Sequence, residues 1–241
     1  MQSRRDLLTQ RFPKLGCLLA AIAAVTMCVW PFVLINAMQT ALTKLHLHPV
    51  IGFAVMIGIV AGSFVNFPVH RMERDVEQAD APSRWHRWLG RVPLVRRAKT
   101  ETIIAVNLGG CLIPLALAGF ELLVVSQAAP QAMWAIIIAS TASILVCYRA
   151  ARPIQGIGIA MPAVLPPAVS VGVTWLLLMS PDYDPVRAPV AFIAGVAGPL
   201  IGADLLHLRD ISRISVGVLS IGGAGTFDGI VLSGMLAALV A

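Results

Sequence analysis

Charge is scarce in this sequence. Only 12% of its 241 residues are Asp, Glu, Lys or Arg, about half the share found in an ordinary soluble domain. With 58% hydrophobic residues and a mean hydropathy of +0.83, that scarcity excludes a soluble globular class and places the chain in a lipid bilayer. Cysteine is also sparse. Cys17, Cys28, Cys111 and Cys147 all lie in apolar stretches without a C-x-x-C pair, so buried, inert thiols are expected rather than a disulfide framework or a metal centre. No cofactor is expected. A secretory leader is not expected either, because the first apolar run, 15–35, is too long for a signal core and has no small-residue cleavage site.

What the sequence does contain is long apolar runs, at 15–35, 50–67, 102–126, 131–149, 156–179, 188–208 and 214–241. They predict an all-α, polytopic bundle of about seven transmembrane helices in one domain, 1–241, with a basic cytoplasmic loop at 68–101. With the N-terminus inside, sixteen of the eighteen basic residues fall on the cytoplasmic side, and only Lys44 and Arg187 fall outside. That asymmetry predicts an inner (plasma) membrane protein with its N-terminus in the cytoplasm and its C-terminus outside. The excess of basic charge is thereby explained by topology, and no nucleic-acid partner follows from it. The bilayer is the expected partner; the charge pattern is silent on oligomeric state.

Several segments depart from plain helix. The outer loop 36–49 carries His46 and His48, two residues apart, a weak metal motif that reads as an ordinary polar loop. Gly58-x-x-x-Gly62, Ala191-x-x-x-Gly195 and Gly198-x-x-x-Gly202 are close-packing patterns. Residues 84–91, RWHRWLGR, fit a short helix lying on the inner leaflet or an unstructured basic loop. Asn107 fits a helix–helix hydrogen bond, and Glu121 lies near the outer end of its run. Pro162, Pro166 and Pro167 remove amide donors from the fifth run, which predicts a kink or a break there.

Two carboxylates inside membrane segments require a reason. Asp204 follows Gly198 and Gly202 in the sixth run, and Asp228 follows Gly222, Gly223 and Gly225 in the seventh. With the sixth helix ending near Arg209, Asp204 is roughly 7 Å below the inner interface at 1.5 Å per residue. A continuous seventh helix would carry Asp228 to roughly 21 Å. The glycines and β-branched residues of 214–225 disfavour helix. A helix starting near Thr226, as N-cap, would instead place Asp228 at about 9 Å, level with Asp204. A broken last segment with paired carboxylates is therefore predicted. Such a pair shares a proton, which suits peptide hydrolysis by an aspartyl mechanism and also suits a small proton- or cation-coupled transporter. A third reading is a non-catalytic scaffold in which each aspartate is satisfied within the bundle. On the first reading Asp204 and Asp228 are catalytic, and His207, Gly223, Gly225, Thr226, Pro162 and Pro166 contact substrate.

The stretches GADLLHL and SIGGAGTFDGI, within 150–241, resemble an uncharacterised prokaryotic membrane family known as a domain of unknown function, DUF1614. That resemblance implies no activity. A more remote one is to presenilin-type intramembrane aspartyl proteases. Their catalytic aspartates lie on the sixth helix, running out-to-in, and on the seventh, after Gly-x-Gly-Asp. Asp204 and Asp228 have the corresponding helix number and direction. However, Thr226 and Phe227 separate Gly223-Ala224-Gly225 from Asp228, and Ala203 stands where that family has tyrosine. Pro162-Ala163-Val164-Leu165 lies upstream of the pair, whereas that family has its Pro-Ala-Leu downstream.

Overall fold

A computed structural model describes residues 13–79, 95–154, 158–210, 217–223 and 228–241. Its elements in order are α1 (Pro13–Lys44), α2 (Pro49–Gly62), β1 (Asn66–Ala79), β2 (Val95–Asn107) and α3 (Leu108–Ala128, its first five residues wound as a π turn). Next come α4 (Met133–Ala150), the short strands β3 (Arg152–Ile154) and β4 (Gly158–Ala160), and α5 (Leu165–Leu177). The chain ends with α6 (Asp184–Ala197, continued as a π-helix over Gly198–Leu205), β5 (Gly217–Ile221) and α7 (Gly229–Val240). By length and composition four helices can cross a membrane: Ala20–Lys44, Leu108–Ala128, Pro130–Ala150 and Pro181–Asp210. The helices α2, α5 and α7 are apolar but shorter.

The bundle is built around α6. Every residue from Val186 to Val196 is buried, because the helix is lined with small side chains that let neighbouring backbones close in. A Cβ on Gly195 would stand 2.9 Å from the carbonyl oxygen of Ser233 on α7. Cβ atoms on Gly198 and Gly202 would overlap α4 at Ser143 and Ile144. These contacts are the close packing expected of the 191–195 and 198–202 patterns. The Gly58–Gly62 pattern packs likewise, a Cβ on Gly62 lying 2.9 Å from the amide nitrogen of Gly109 at the start of α3. By contrast, the apolar stretch of α1 buries none of itself in the fold. Only its C-terminal end, at Ala41, Leu42 and then Leu45, enters the core.

The fold is mainly helical but not all-α. Residues 66–79 and 95–107 pair as a long antiparallel hairpin, with a shift in register between Pro68 and His70. Within the segment expected as a basic cytoplasmic loop, 68–101, the described residues 68–79 and 95–101 are strand and belong to this hairpin. The register places Asp75 opposite Lys99 and Glu77 opposite Arg97. The second apolar run accordingly stops as helix at Gly62, and the third begins as strand. The surface helix expected at 84–91 lies outside the described residues.

The last apolar run is broken, as expected, but through a strand. β5 pairs in parallel with β2, from Thr102 opposite Gly217 to Val106 opposite Ile221. Helix begins only at Gly229, with Asp228 as its N-cap. Thr226, expected in that role, lies outside the described residues. The fifth run is broken too. β4 ends at Ala160, the carbonyl of Pro162 accepts a hydrogen bond from Leu165 N–H at 3.1 Å, and Pro166 and Pro167 occupy the first turn of α5. The prolines open a helix there and do not kink one.

Candidate functional site

Two strand-to-helix junctions meet at one end of the bundle. At the first, β2 ends in Asn107, which is fully buried. Its Oδ1 accepts the amide of Gly110 at 2.8 Å and so caps the π turn. Its Nδ2 donates to the carbonyl of Ser63 at 2.7 Å and to Asn66 Oδ1 at 3.1 Å. At the second junction, β5 runs into Gly222, whose φ of +72° is left-handed backbone that suits glycine. A Cβ there would lie 2.6 Å from the carbonyl carbon of Gly110. The two junctions therefore touch backbone to backbone. Ser220 Oγ on β5 donates a short hydrogen bond to Asn66 Oδ1, which ties the second junction to the first.

Beside this contact lies a cavity of about 450 Å³, within the range of small-ligand sites. Asp204 and Asp228 both line it. Asp204 comes from the π-helical end of α6, where Leu206 N–H bonds to the carbonyl of Ile201 at 3.0 Å. That five-residue spacing rotates side chains away from where α-helical periodicity would put them. Asp228 comes from the start of α7, its Oδ1 accepting the amide of Ile230 at 2.8 Å. Cys111 is buried at the first junction. The strand residues Val218 to Ile221 form one wall, continued by Gly222 and Gly223, and Gly158 and Ile159 of β4 contribute another part of the lining. Among the described residues β5 is an edge strand, paired only with β2.

The remaining predicted site residues are placed variously. Gly223 lines the cavity. His207 is buried, with Nδ1 within 3.2 Å of the carbonyl of Gly202 and 3.1 Å of that of Ala203, and its ring lies 4.8 Å from that of Tyr148 on α4. Pro162 and Pro166 sit before and in the first turn of α5, and neither is part of the cavity lining. Gly225 and Thr226 lie outside the described residues. Among the described residues no group of three metal-ligating side chains occurs. Asn66, Asn107, Ser220 and Cys111 were not singled out for the site by the sequence reading. A signal for the junctions was there: a polar residue, an aliphatic one and two glycines occur twice, as Asn107-Leu108-Gly109-Gly110 and Ser220-Ile221-Gly222-Gly223.

Residues 60–240 match the model of a family described as a protein of unknown function, DUF1614. The match reaches well upstream of the stretch that carried the resemblance above. It takes in the hairpin, both junctions and both aspartates. No curated protein and no solved structure matches the chain.

Proposed function

The chain belongs to the DUF1614 family, and on that premise we propose that it is a multi-pass membrane hydrolase that cleaves peptide bonds with Asp204 and Asp228. The family carries no activity with it, so the reading rests on one observation: two carboxylates line a single cavity, one wall of which is an edge strand among the described residues. An extended peptide can add to such an edge through main-chain hydrogen bonds. Pairing with β5 would lay its carbonyls along the wall that leads to the aspartates.

The two carboxylates then divide the work. Asp228 accepts the amide of Ile230 at the N-terminus of α7, where backbone N–H groups and the helix dipole favour negative charge. The shared proton accordingly resides on Asp204, which donates it toward the substrate carbonyl oxygen while Asp228 takes a proton from water. The water oxygen bonds to the carbonyl carbon. As the tetrahedral intermediate collapses, the C–N bond breaks, the amine leaves with the proton held by Asp228, and one hydroxyl of the former carbonyl carbon returns its proton to Asp204 as the C=O bond re-forms. On this reading the cavity end faces the cytoplasm and the C-terminus the outside of the plasma membrane, an orientation that the charge asymmetry of the sequence supports.

A proton-coupled transporter is the second reading, favoured by the fifth and seventh apolar runs, both interrupted by strands, β4 and β5, that line the cavity. One experiment separates the two. The full chain is reconstituted in liposomes with a pool of single-span peptides, and fragments are read by mass spectrometry while internal pH is followed. Cleavage that is lost in both Asp204→Asn and Asp228→Asn is expected. Proton flux lost in both variants without any cleavage sinks the hydrolase in favour of the transporter. Neither signal sinks both.

A further inference from the structure

A buried acid, Glu121, lies at the opposite end of the bundle from the aspartates. Both α3 and α7 run from the cavity to that end. Asp228 caps the start of α7, and Lys44 holds its other end by donating to the carbonyl of Leu239 at 2.7 Å. Glu121 lies on α3 eleven residues beyond Gly110, roughly 16 Å along the helix axis. Its side chain is fully buried, and among the described residues neither carboxyl oxygen has a hydrogen-bond partner. A carboxylate so placed is costly in its charged form. His46 stands beside it, with Nδ1 3.8 Å from Glu121 Oε2.

His46 is set apart by its backbone. Its φ of +57° is left-handed, the one positive value at a non-glycine among the described residues. The turn that closes α1 holds it there, His46 N–H donating to the carbonyl of Thr43 and Leu47 N–H to that of Leu42. Left-handed backbone at a residue other than glycine is uncommon, and strain of this kind gathers at functional positions. The side chain is 42% exposed. One imidazole therefore touches water and also stands beside an acid that water does not reach.

We propose that Glu121 and His46 form a proton-binding site, in which the buried carboxyl exchanges its proton with solvent through the imidazole. The proton passes from Glu121 Oε2 to His46 Nδ1, giving a carboxylate beside an imidazolium, and the Nε2 proton is then released to water. Loading runs in reverse. Other charged groups at this end are already engaged. Arg187 on α6 donates to the carbonyls of Leu178, Met179 and Ser180 and pairs with Asp184. Lys44 is held by Leu239, and His48 accepts the amide of Val50 at the start of α2. Neither α2 nor α7 carries a titratable side chain. The site is independent of any peptide hydrolysis, and its test needs no substrate.

That test is infrared spectroscopy of the full chain in lipid nanodiscs, following exchange from H₂O into D₂O. A protonated-carboxyl C=O band that is missing in Glu121→Gln is expected. In His46→Asn, where asparagine tolerates the left-handed turn but carries no exchangeable imidazole, exchange of that band slows by about tenfold or more. Glu121→Asp, which keeps the acid but draws it a methylene away from His46, must slow exchange as well, and it serves if Glu121→Gln fails to insert. Identical bands in wild type and Glu121→Gln overturn the proposal, and so does wild-type exchange in either His46→Asn or Glu121→Asp.

Discussion

Asp228 caps a helix with the same carboxyl that lines the cavity, and substitution separates the two roles. Asparagine caps about as well as aspartate, whereas alanine at an N-cap costs about 1 kcal/mol. Asp228→Asn should therefore unfold in detergent within a degree or two of wild type while losing activity. Asp228→Ala should melt lower by roughly 2–4 °C, the shift that about 1 kcal/mol gives a chain of this size. Equal melting of the two variants would show that the Ile230 amide does not depend on this side chain. Asn107 carries a heavier structural load, because its fully buried amide serves Ser63, Asn66 and Gly110. Replacing it with alanine leaves the buried amide of Gly110 unsatisfied, at about 1–3 kcal/mol. A large fall in melting temperature is expected for Asn107→Ala, and a melt matching wild type would mean that the junction is held by other contacts. The sequence flagged Asn107 only as a helix–helix hydrogen-bonding residue. A cap between a strand and a π turn is visible only once both elements are placed.

At the scale of elements, the contact between the junctions at Gly110 and Gly222 decides where the aspartates stand. Gly222→Ala forces a side chain onto left-handed backbone and into the backbone of Gly110 and Cys111, at 2.6 and 2.7 Å. Together these effects should destabilise the protein by about 2–5 kcal/mol. Gly119→Ala is the control, since a Cβ there meets nothing within 4 Å. It should be neutral or slightly stabilising, by up to about 1 kcal/mol of helix propensity. Similar melting of the two variants would remove the junction contact as the organising feature. The break in the last run was legible in its glycines and β-branched residues, because their helix preference is a local property. That the break is a strand was not legible. β5 exists by pairing with β2, more than a hundred residues upstream, and no local pattern reports a partner so distant in sequence. The hairpin was hidden for a related reason, since 66–79 and 95–107 are strands by pairing with each other and each alone reads as part of a loop or of an apolar run.

For the whole molecule, the structure adds an axis to the charge asymmetry. The hairpin and the aspartate cavity lie at one end, and His46, Lys44 and the C-terminal end of α7 lie at the other. If the basic hairpin is cytoplasmic, the two ends face opposite sides of the membrane. In a background with Cys28, an exposed thiol, replaced by serine, an impermeant thiol reagent should label His48→Cys in intact cells. It should reach His70→Cys only after permeabilisation. The reverse pattern would invert the topology and move the cavity to the outer face.

By itself the sequence determined the apolar character of the chain, the helical majority, the small-residue packing of α6 and the presence of two carboxylates within apolar runs. All of these follow from composition and short-range spacing, since transfer to lipid and close helix approach depend on each residue and its near neighbours. Only the tertiary structure decided that the charged segment is a hairpin, that Asp204 and Asp228 line one cavity, and that Glu121 stands beside His46. Each of those is a meeting of residues far apart in the chain, brought about by backbone pairing and packing that no single segment contains.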